Sequence, residues 1–248
     1  MNVLMQKRIG FRRNIYLHWM DAAAAYCAES TDPVELRARL EPIVGERIKS
    51  AENRAYAITI LLNIWAVSAE AHPRLQSDAV TLFAHTTEIA DRLWLHYGMT
   101  LLAYDFFRLG VIAVGQLGLY DDVITPKAVK RKLAAEMGQL GGLEKATERV
   151  LFSLRNWGVL AETDQRSVYR PLRRHFSASS VELEAWLLAS ALSAHPAEEL
   201  PSADLARLPE LFPFRFAITL DDLRRSDRFM VHRQGMGWDL VRLAEGAC

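Results

Sequence analysis

Residues 125–172 constrain the fold more than any other part of this chain, because two helix patterns and two strand patterns follow one another there at short spacing. Thr125 and Pro126 predict the start of the first helix, since threonine caps helix N-termini and proline fits the first helical position. Apolar residues then recur every four positions as far as Met137, as in a helix that buries one face. The glycine-bearing turn at residues 138–142 ends this helix.

A second helix pattern follows the turn and ends before Gly158. Its apolar face is formed by Leu143, Ala146, Val150, Leu154 and Trp157. Two short β-like runs come next, at residues 159–162 and 168–172, and a polar turn at 163–166 separates them. The order helix, turn, helix and hairpin predicts a winged helix-turn-helix, in which the second helix enters the major groove of DNA and the hairpin lies along the backbone.

Basic residues are concentrated in the same part of the chain. Residues 125–174 contain eleven lysines and arginines and five acids, which gives a net charge of +6 in a chain whose formal total is zero. The remaining residues therefore sum to −6. A basic island in a neutral protein is the electrostatic pattern expected of a module that contacts phosphates. The alternative is that these long side chains only solvate a helix face.

The second helix also predicts which side chains face DNA. Opposite the buried stripe lies Lys145, with Arg149 on the flank, and both are long hydrogen-bond donors in the N-terminal half of the helix. Glu144 and Glu148 share this face and are unfavourable near phosphates, although a glutamate can accept a hydrogen bond from cytosine in the groove. Phe152 is unexpected on such a surface, so we expect it to pack against another part of the chain or against a partner. The predicted DNA-binding residues are Lys127, Arg131, Lys145, Arg149, Arg155, Arg166, Arg170 and Arg173.

The whole chain is expected to be mainly α, with three units. Residues 1–103 form a helical platform, residues 104–176 the winged helix-turn-helix, and residues 177–248 a small α+β unit. Around the first boundary, apolar spacing predicts helices over 88–97 and 101–120.

The C-terminal unit is predicted to contain a similar order of helix, strand and hairpin. A helix is predicted over 181–194, the alternation of residues 212–218 predicts a strand, and the glycines at 234–237 predict a hairpin turn. This order is again close to that of a winged helix. A second winged-helix-like unit and a degenerate unit used for protein contacts are both open, and the unremarkable charge favours the second.

Composition and motifs disfavour several classes of function. Hydrophobic residues make up 50% of the chain, which is ample for a core, and zero net charge argues against a protein that coats nucleic acid or membrane along its whole surface. Cys27 and Cys248 lie in no disulfide or metal motif, and no histidine has a partner at ligand spacing. The sequence contains no signal-peptide, membrane-span or short catalytic pattern. We therefore expect a cytoplasmic, non-enzymatic protein without a cofactor, metal or membrane partner.

Three runs of residues carry a resemblance to a known family. They are LHYGM at residues 95–99, YDFFR at 104–108, and residues 146–160 with their ending VLFSLRNWGVL. Together they resemble small helical proteins of bacterial phage-defence loci, nearest to the BrxA family of BREX systems. The resemblance covers the middle and C-terminal half of the chain and carries no catalytic residue across. It implies a helical protein with helix-turn-helix character that binds DNA.

Two hypotheses for the function follow from the sequence. The first is binding of double-stranded DNA through the winged helix, with other defence-system proteins as further partners. The second is an adaptor in a multiprotein complex, because the same fold can bind protein and fold alone does not decide function. An enzyme of a class without a short motif is the least favoured alternative. Salt separates the first two, because phosphate contacts weaken steeply as salt rises and an apolar interface does not.

Overall fold

A computed structural model describes residues 9–235 and 237–247. The basic residues before Ile9, Met236 in the predicted turn, and Cys248 lie outside the described residues. Helices account for 59% of the structure and strands for 11%, which confirms the predicted mainly α class. The strands belong to small sheets in the second half of the chain.

Helices α1 to α6 and a π-helical turn form the N-terminal platform. Asp32 and Ser50 begin two of them, because each side chain accepts a hydrogen bond from a backbone N–H in the first helical turn. The elements are α1 (Leu17–Glu29), α2 (Pro33–Gly45), α3 (Ala51–Leu62), the π-helical turn (Asn63–Val67), α4 (Ser68–Ala71), α5 (Pro73–His85) and α6 (Ile89–Ala103).

The central elements follow in the predicted order. They are α7 (Asp105–Leu117), α8 (Pro126–Met137), α9 (Leu143–Asn156), β1 (Leu160–Glu162) and β2 (Tyr169–Pro171). Thr125 caps α8 as predicted, with its hydroxyl accepting from the Ala128 N–H at 3.2 Å. Strands β1 and β2 pair as an antiparallel hairpin. Ile124, just before α8, bridges Tyr169 of β2 through two backbone hydrogen bonds of 2.8 and 2.9 Å, so the start of α8 is anchored to the hairpin.

The C-terminal elements form one long helix and two small sheets. They are β3 (Phe176–Ser177), α10 (Val181–Ala194), β4 (Glu199–Pro201), α11 (Ser202–Leu205), a 3-10 turn (Pro209–Leu211), β5 (Phe214–Arg215), α12 (Leu220–Arg225), β6 (Phe229–Gln234) and β7 (Trp238–Leu243). Strands β3 and β5 are parallel, and the other sheet has the antiparallel order β4-β7-β6. The predicted helix over 181–194 is confirmed, and so are the two strands of the predicted hairpin.

The strand predicted over 212–218 is wrong for most of its length. Only Phe214–Arg215 pairs with another strand. The backbone N–H groups of Ala217 and Ile218 instead donate to the carboxylate of Glu184 on α10, at 2.8 and 2.6 Å. This side chain takes the place of a partner strand. The apolar alternation there reflects the packing of Phe214 and Phe216 on Trp94 of α6, with ring centroids 4.5 and 5.2 Å away, and not a longer sheet.

The helix boundaries predicted at 97 and 101 are also wrong. Helix α6 continues through Gly98 to Ala103, and α7 begins at Asp105. Gly98 lies where the ring of Trp186 on α10 packs against α6, and a Cβ at this position would be 2.5 Å from that ring. The glycine therefore permits close packing of two helices and does not end one.

One hydrophobic core extends through all three predicted ranges. Tryptophans from each of them are buried in it, namely Trp19, Trp94, Trp157 and Trp186. The hydroxyl of Tyr97 on α6 donates to the carbonyl of Glu210 at 2.6 Å, and burial raises the pKa of Tyr97 well above its usual value. The platform, the central elements and the C-terminal elements are thus joined by shared packing.

Substituting Gly115 tests the contact between α7 and the 3-10 turn. A Cβ there would lie 2.0 Å from the carbonyl oxygen of Pro209, and a backbone atom cannot simply rotate away. We expect Gly115→Ala to lower the free energy of unfolding by about 1–3 kcal/mol or more, measured by urea denaturation. Gly141→Ala is the matched control, because no atom lies within 4 Å of the added Cβ. Equal stability of the two variants would show that this contact is not tight.

Candidate nucleic-acid interface

The N-terminal half of α9 is open to solvent. Glu144, Lys145 and Glu148 are exposed, while the apolar stripe behind them is buried. Lys130 on α8 pairs with Glu144 at 2.6 Å, and this contact lowers the pKa of Glu144 below its usual value. The Glu144 carboxylate is therefore compensated from within the chain. Lys145 has no hydrogen bond or ion pair with any other described residue, so it is the free cation at this end of α9.

The C-terminal half of α9 is covered by the segment that precedes α1. The Ile15 N–H donates to the hydroxyl of Ser153 at 3.1 Å, and the Trp157 indole N–H donates to the carbonyl of Ile15 at 3.0 Å. One turn further along, the Leu17 N–H donates to the side-chain oxygen of Asn156 at 2.8 Å. The surface of α9 available to a ligand is therefore shorter than the helical wheel predicts.

Two residues of α9 mark the edge of this covered region. The ring of Phe152 packs edge-on against Tyr16, with centroids 5.2 Å apart, which confirms that Phe152 contacts another part of the chain. The guanidinium of Arg149 donates to the side-chain oxygen of Asn14 at 3.0 Å and is partly buried. Arg149 is thus held in place by the N-terminal segment, one helical turn from Lys145.

Arg155 is occupied within the chain. Its Nε lies 3.2 Å from the carboxylate of Glu162 on β1, and its Nη1 donates to the hydroxyl of Tyr169 on β2 at 3.4 Å. The guanidinium also lies over the Tyr169 ring, 5.5 Å from its centroid. These contacts attach the end of α9 to the hairpin, which is a structural use of a residue predicted to bind DNA.

The hairpin presents the exposed arginines Arg166 and Arg170. Neither has a hydrogen-bond or ion-pair partner for its side chain in the part of the chain that the structure describes. Arg173, just after the hairpin, is also exposed but donates to a backbone carbonyl at the end of α7, at 3.0 Å. Arg170 and Arg173 line a cleft that also contains Asp121 and Asp122, so acidic side chains are nearby on this side.

Helix α8 contributes a groove without acidic lining. Lys127 and Arg131 are exposed in it, and Lys130 and Gln139 lie beside them. Of the described residues that line the groove, none is an aspartate or glutamate. From Lys127 in its first turn to Arg131, α8 therefore presents positive charge beside α9.

Two arginines that sequence reasoning missed lie next to α9. Arg13, before α1, and Arg47, after α2, line a polar cleft together with Arg149. Arg13 stands in the basic start of the chain, and Arg47 is a single cation in a turn, so neither gave a local signal. Only the fold brings these residues to the same place.

A further cavity of about 510 Å³ lies between α7, α8 and residues 195–210. The buried carboxyl group of Glu210 and the side chain of Arg108 line it. Burial raises the pKa of Glu210, and the charges of Arg108 and His195 oppose that rise. Within residues 9–235 and 237–247, no cluster of three histidine, cysteine, aspartate or glutamate side chains could hold a metal ion.

Among the described residues, no single helix is both long and apolar enough to cross a bilayer. Helices α6 and α7 reach the length together, but they are bent by 118° at their junction.

No protein-family model, curated protein or solved structure matches this chain. Function must therefore be inferred from the exposed cations and from the elements that carry them.

Substituting Ser153 tests the docking of the N-terminal segment on α9. Ser153→Ala leaves the buried N–H of Ile15 without its acceptor, so we expect a loss of about 1–3 kcal/mol in the free energy of unfolding. Trypsin should also cleave faster after Arg12 and Arg13. Ser179→Ala, an exposed serine before α10, is the control. A Ser153→Ala protein as stable and as protease-resistant as this control would contradict the docking.

Proposed function

We propose that this chain is a non-enzymatic protein that binds double-stranded DNA through a winged helix-turn-helix made of α7, α8, α9 and the β1–β2 hairpin. The N-terminal half of α9 would enter the major groove, and the hairpin would lie beside the phosphate backbone. The bridge between Ile124 and Tyr169 supports this assignment, because it fixes the hairpin against the start of α8.

One observation carries the proposal. Five exposed cations on α8, α9 and the hairpin have no acidic partner among the described residues: Lys127, Arg131, Lys145, Arg166 and Arg170. Surface cations without partners on adjoining elements can neutralise phosphates at no cost in broken ion pairs. Within α9, Lys145 is the donor for bases or phosphates, and the exposed Glu148 can accept from cytosine.

The resemblance of the sequence to BrxA-family proteins supplies a biological setting for this activity. In that setting the chain would be a component of a bacterial phage-defence system and would have other defence-system proteins as partners. The arrangement of the cations supports DNA binding, but it does not support any particular biological setting.

An adaptor function is the second candidate, and it too has an observation in its favour. Leu119, Tyr120 and Val123, between α7 and α8, are exposed apolar side chains, and Tyr120 is 89% exposed. A partner protein could cover them beside the hairpin. Such an interface would be apolar, so its affinity would change little with salt.

Salt dependence tests the proposed function directly. With about five phosphate contacts, the logarithm of the association constant should fall with the logarithm of salt concentration with a slope of about −4 to −5. Affinity for mixed-sequence duplex should then drop several hundred-fold between about 50 and 200 mM salt, measured by fluorescence anisotropy. Lys145→Glu, at an exposed position, should bind at least about tenfold more weakly while its circular dichroism spectrum is unchanged. Wild-type affinity in this variant would exclude α9 as the DNA-contacting helix.

Arg170→Ala separates backbone contacts from base contacts. Because Arg170 lies on the hairpin, its loss should weaken binding equally on every duplex sequence and reduce the salt slope by about one unit. Arg233→Ala is the matched control, since it removes the same charge from an exposed position on β6 of the C-terminal sheet. If both variants bind like the wild-type chain, the hairpin does not contact the backbone.

A further inference from the structure

Three arginines from distant parts of the sequence meet in one cleft beside α9. Arg13 comes from the segment before α1, Arg47 from the turn between α2 and α3, and Arg149 from α9. The cleft has a volume of about 290 Å³, and the remaining residues of its lining are polar or aromatic except for Ile48. No aspartate or glutamate lines it among the described residues.

Neutral amides fix two of the guanidinium groups. Arg13 donates from Nη2 to the side-chain oxygen of Asn53 at 2.8 Å, and Arg149 donates from Nη1 to that of Asn14 at 3.0 Å. The Nε of Arg13 is buried and has no hydrogen-bond acceptor among the described residues. The amide NH₂ groups of Asn14 and Asn53 have no acceptor in the described part of the chain either. The cleft therefore offers the amide NH₂ groups of Asn14 and Asn53 as donors that the described chain leaves unused, whereas the Nε of Arg13 is closed to solvent.

The third guanidinium, that of Arg47, is more exposed and lies over the ring of Tyr16, 5.7 Å from its centroid. None of the three arginines has a carboxylate within ion-pair distance in the described residues. The platform can supply such partners, because Arg39 and Arg54 pair with Glu29 and Glu41 at 2.6 Å.

Three like charges held together without a carboxylate repel one another, and an anion relieves that repulsion. The planar fork of a guanidinium matches the oxygens of a phosphate group better than it matches a monatomic anion. We infer that the cleft of Arg13, Arg47 and Arg149 is a phosphate-binding site, and that it takes one phosphodiester group of bound DNA. The identity of the phosphate source rests on the proposed function, whereas the anion site itself does not.

The location of the cleft agrees with this ligand. Arg149 lies one helical turn from Lys145, so the cleft adjoins the open half of α9. Arg155, which contacts the hairpin, lies about 120° away from Arg149 around the helix axis. A helix in the major groove has a phosphate backbone on each side. The hairpin arginines would meet one backbone, and the cleft would hold a phosphate of the other.

The test uses the full chain and substitutes Arg47, because this side chain is exposed and its loss should leave the fold intact. Lys49→Gln is the matched control, since Lys49 is an exposed cation two residues away that does not line the cleft. In the first arm, duplex DNA is titrated at several salt concentrations. Arg47→Gln should bind DNA more weakly than the wild-type chain. Because the variant makes one phosphate contact fewer, its affinity falls less steeply with salt, and the ratio of wild-type to variant affinity should shrink about threefold between about 50 and 200 mM salt.

The second arm uses inorganic phosphate in place of DNA. Thermal unfolding is measured in phosphate and in chloride at equal ionic strength. The general salting effect of phosphate is common to all variants, so the extra rise in Tm of the wild-type and Lys49→Gln proteins over Arg47→Gln reports the site.

The outcomes distinguish the site from the function. If Arg47→Gln matches Lys49→Gln in both arms, the phosphate site is overturned and the proposed DNA binding is untouched. If the wild-type chain does not bind DNA even at low salt but keeps the extra phosphate-dependent rise in Tm, the anion site stands and DNA is excluded as its source. Loss of both effects in Arg47→Gln supports the inference in full.

Discussion

The indole N–H of Trp157 donates to the carbonyl of Ile15, and this hydrogen bond joins the N-terminal segment to the end of α9. The Trp157 ring also packs against Phe107 of α7, with centroids 5.5 Å apart, so it lies between the core and the N-terminal segment. The N–H of Ile15 donates to the hydroxyl of Ser153 on α9. Since both backbone groups of Ile15 are satisfied by α9 and the residue that follows it, the chain on either side is fixed. That places Asn14 against Arg149 and begins α1 at Leu17.

This docking divides α9 into two halves with different uses. The C-terminal half is a structural element, because Ser153, Asn156 and Trp157 hold the N-terminal segment and Arg155 holds the hairpin. The N-terminal half remains open. A helix that exposes only its first turns can still contact base edges, since those are the turns that reach into a groove in helix-turn-helix proteins. If α9 enters a groove as proposed, its covered half is unavailable, and contacts to the flanking phosphates would come from neighbouring elements.

Local signals account for what could be predicted from the sequence. The cap at Thr125, the glycine turn and the apolar stripe of α9 act within a few residues, and all three are found as predicted. Errors arose where a distant residue decides the outcome. Gly98 lies inside a helix because Trp186 packs there, and residues 217–218 leave the sheet because Glu184 accepts their N–H groups. The cleft at Arg149 could not be predicted for the same reason, since its other two arginines come from the platform.

Ion pairs are distributed unevenly over this fold, and that distribution bears on the proposed phosphate-bearing ligand. The chain has thirty lysines and arginines and thirty aspartates and glutamates, so acids are not scarce. Elsewhere the structure uses them, as where the buried Arg228 lies 2.7 Å from Asp78 and Arg54 pairs with Glu41. In the cleft, Arg13 is held by an amide instead, whereas Glu144 and Arg155 of α9 itself do form ion pairs. Arginines that are oriented by neutral groups keep their full charge for a ligand, at the expense of some self-repulsion in the free protein. Under the proposed function, a bound phosphate backbone would remove that repulsion, so we expect DNA to raise the thermal stability of this protein.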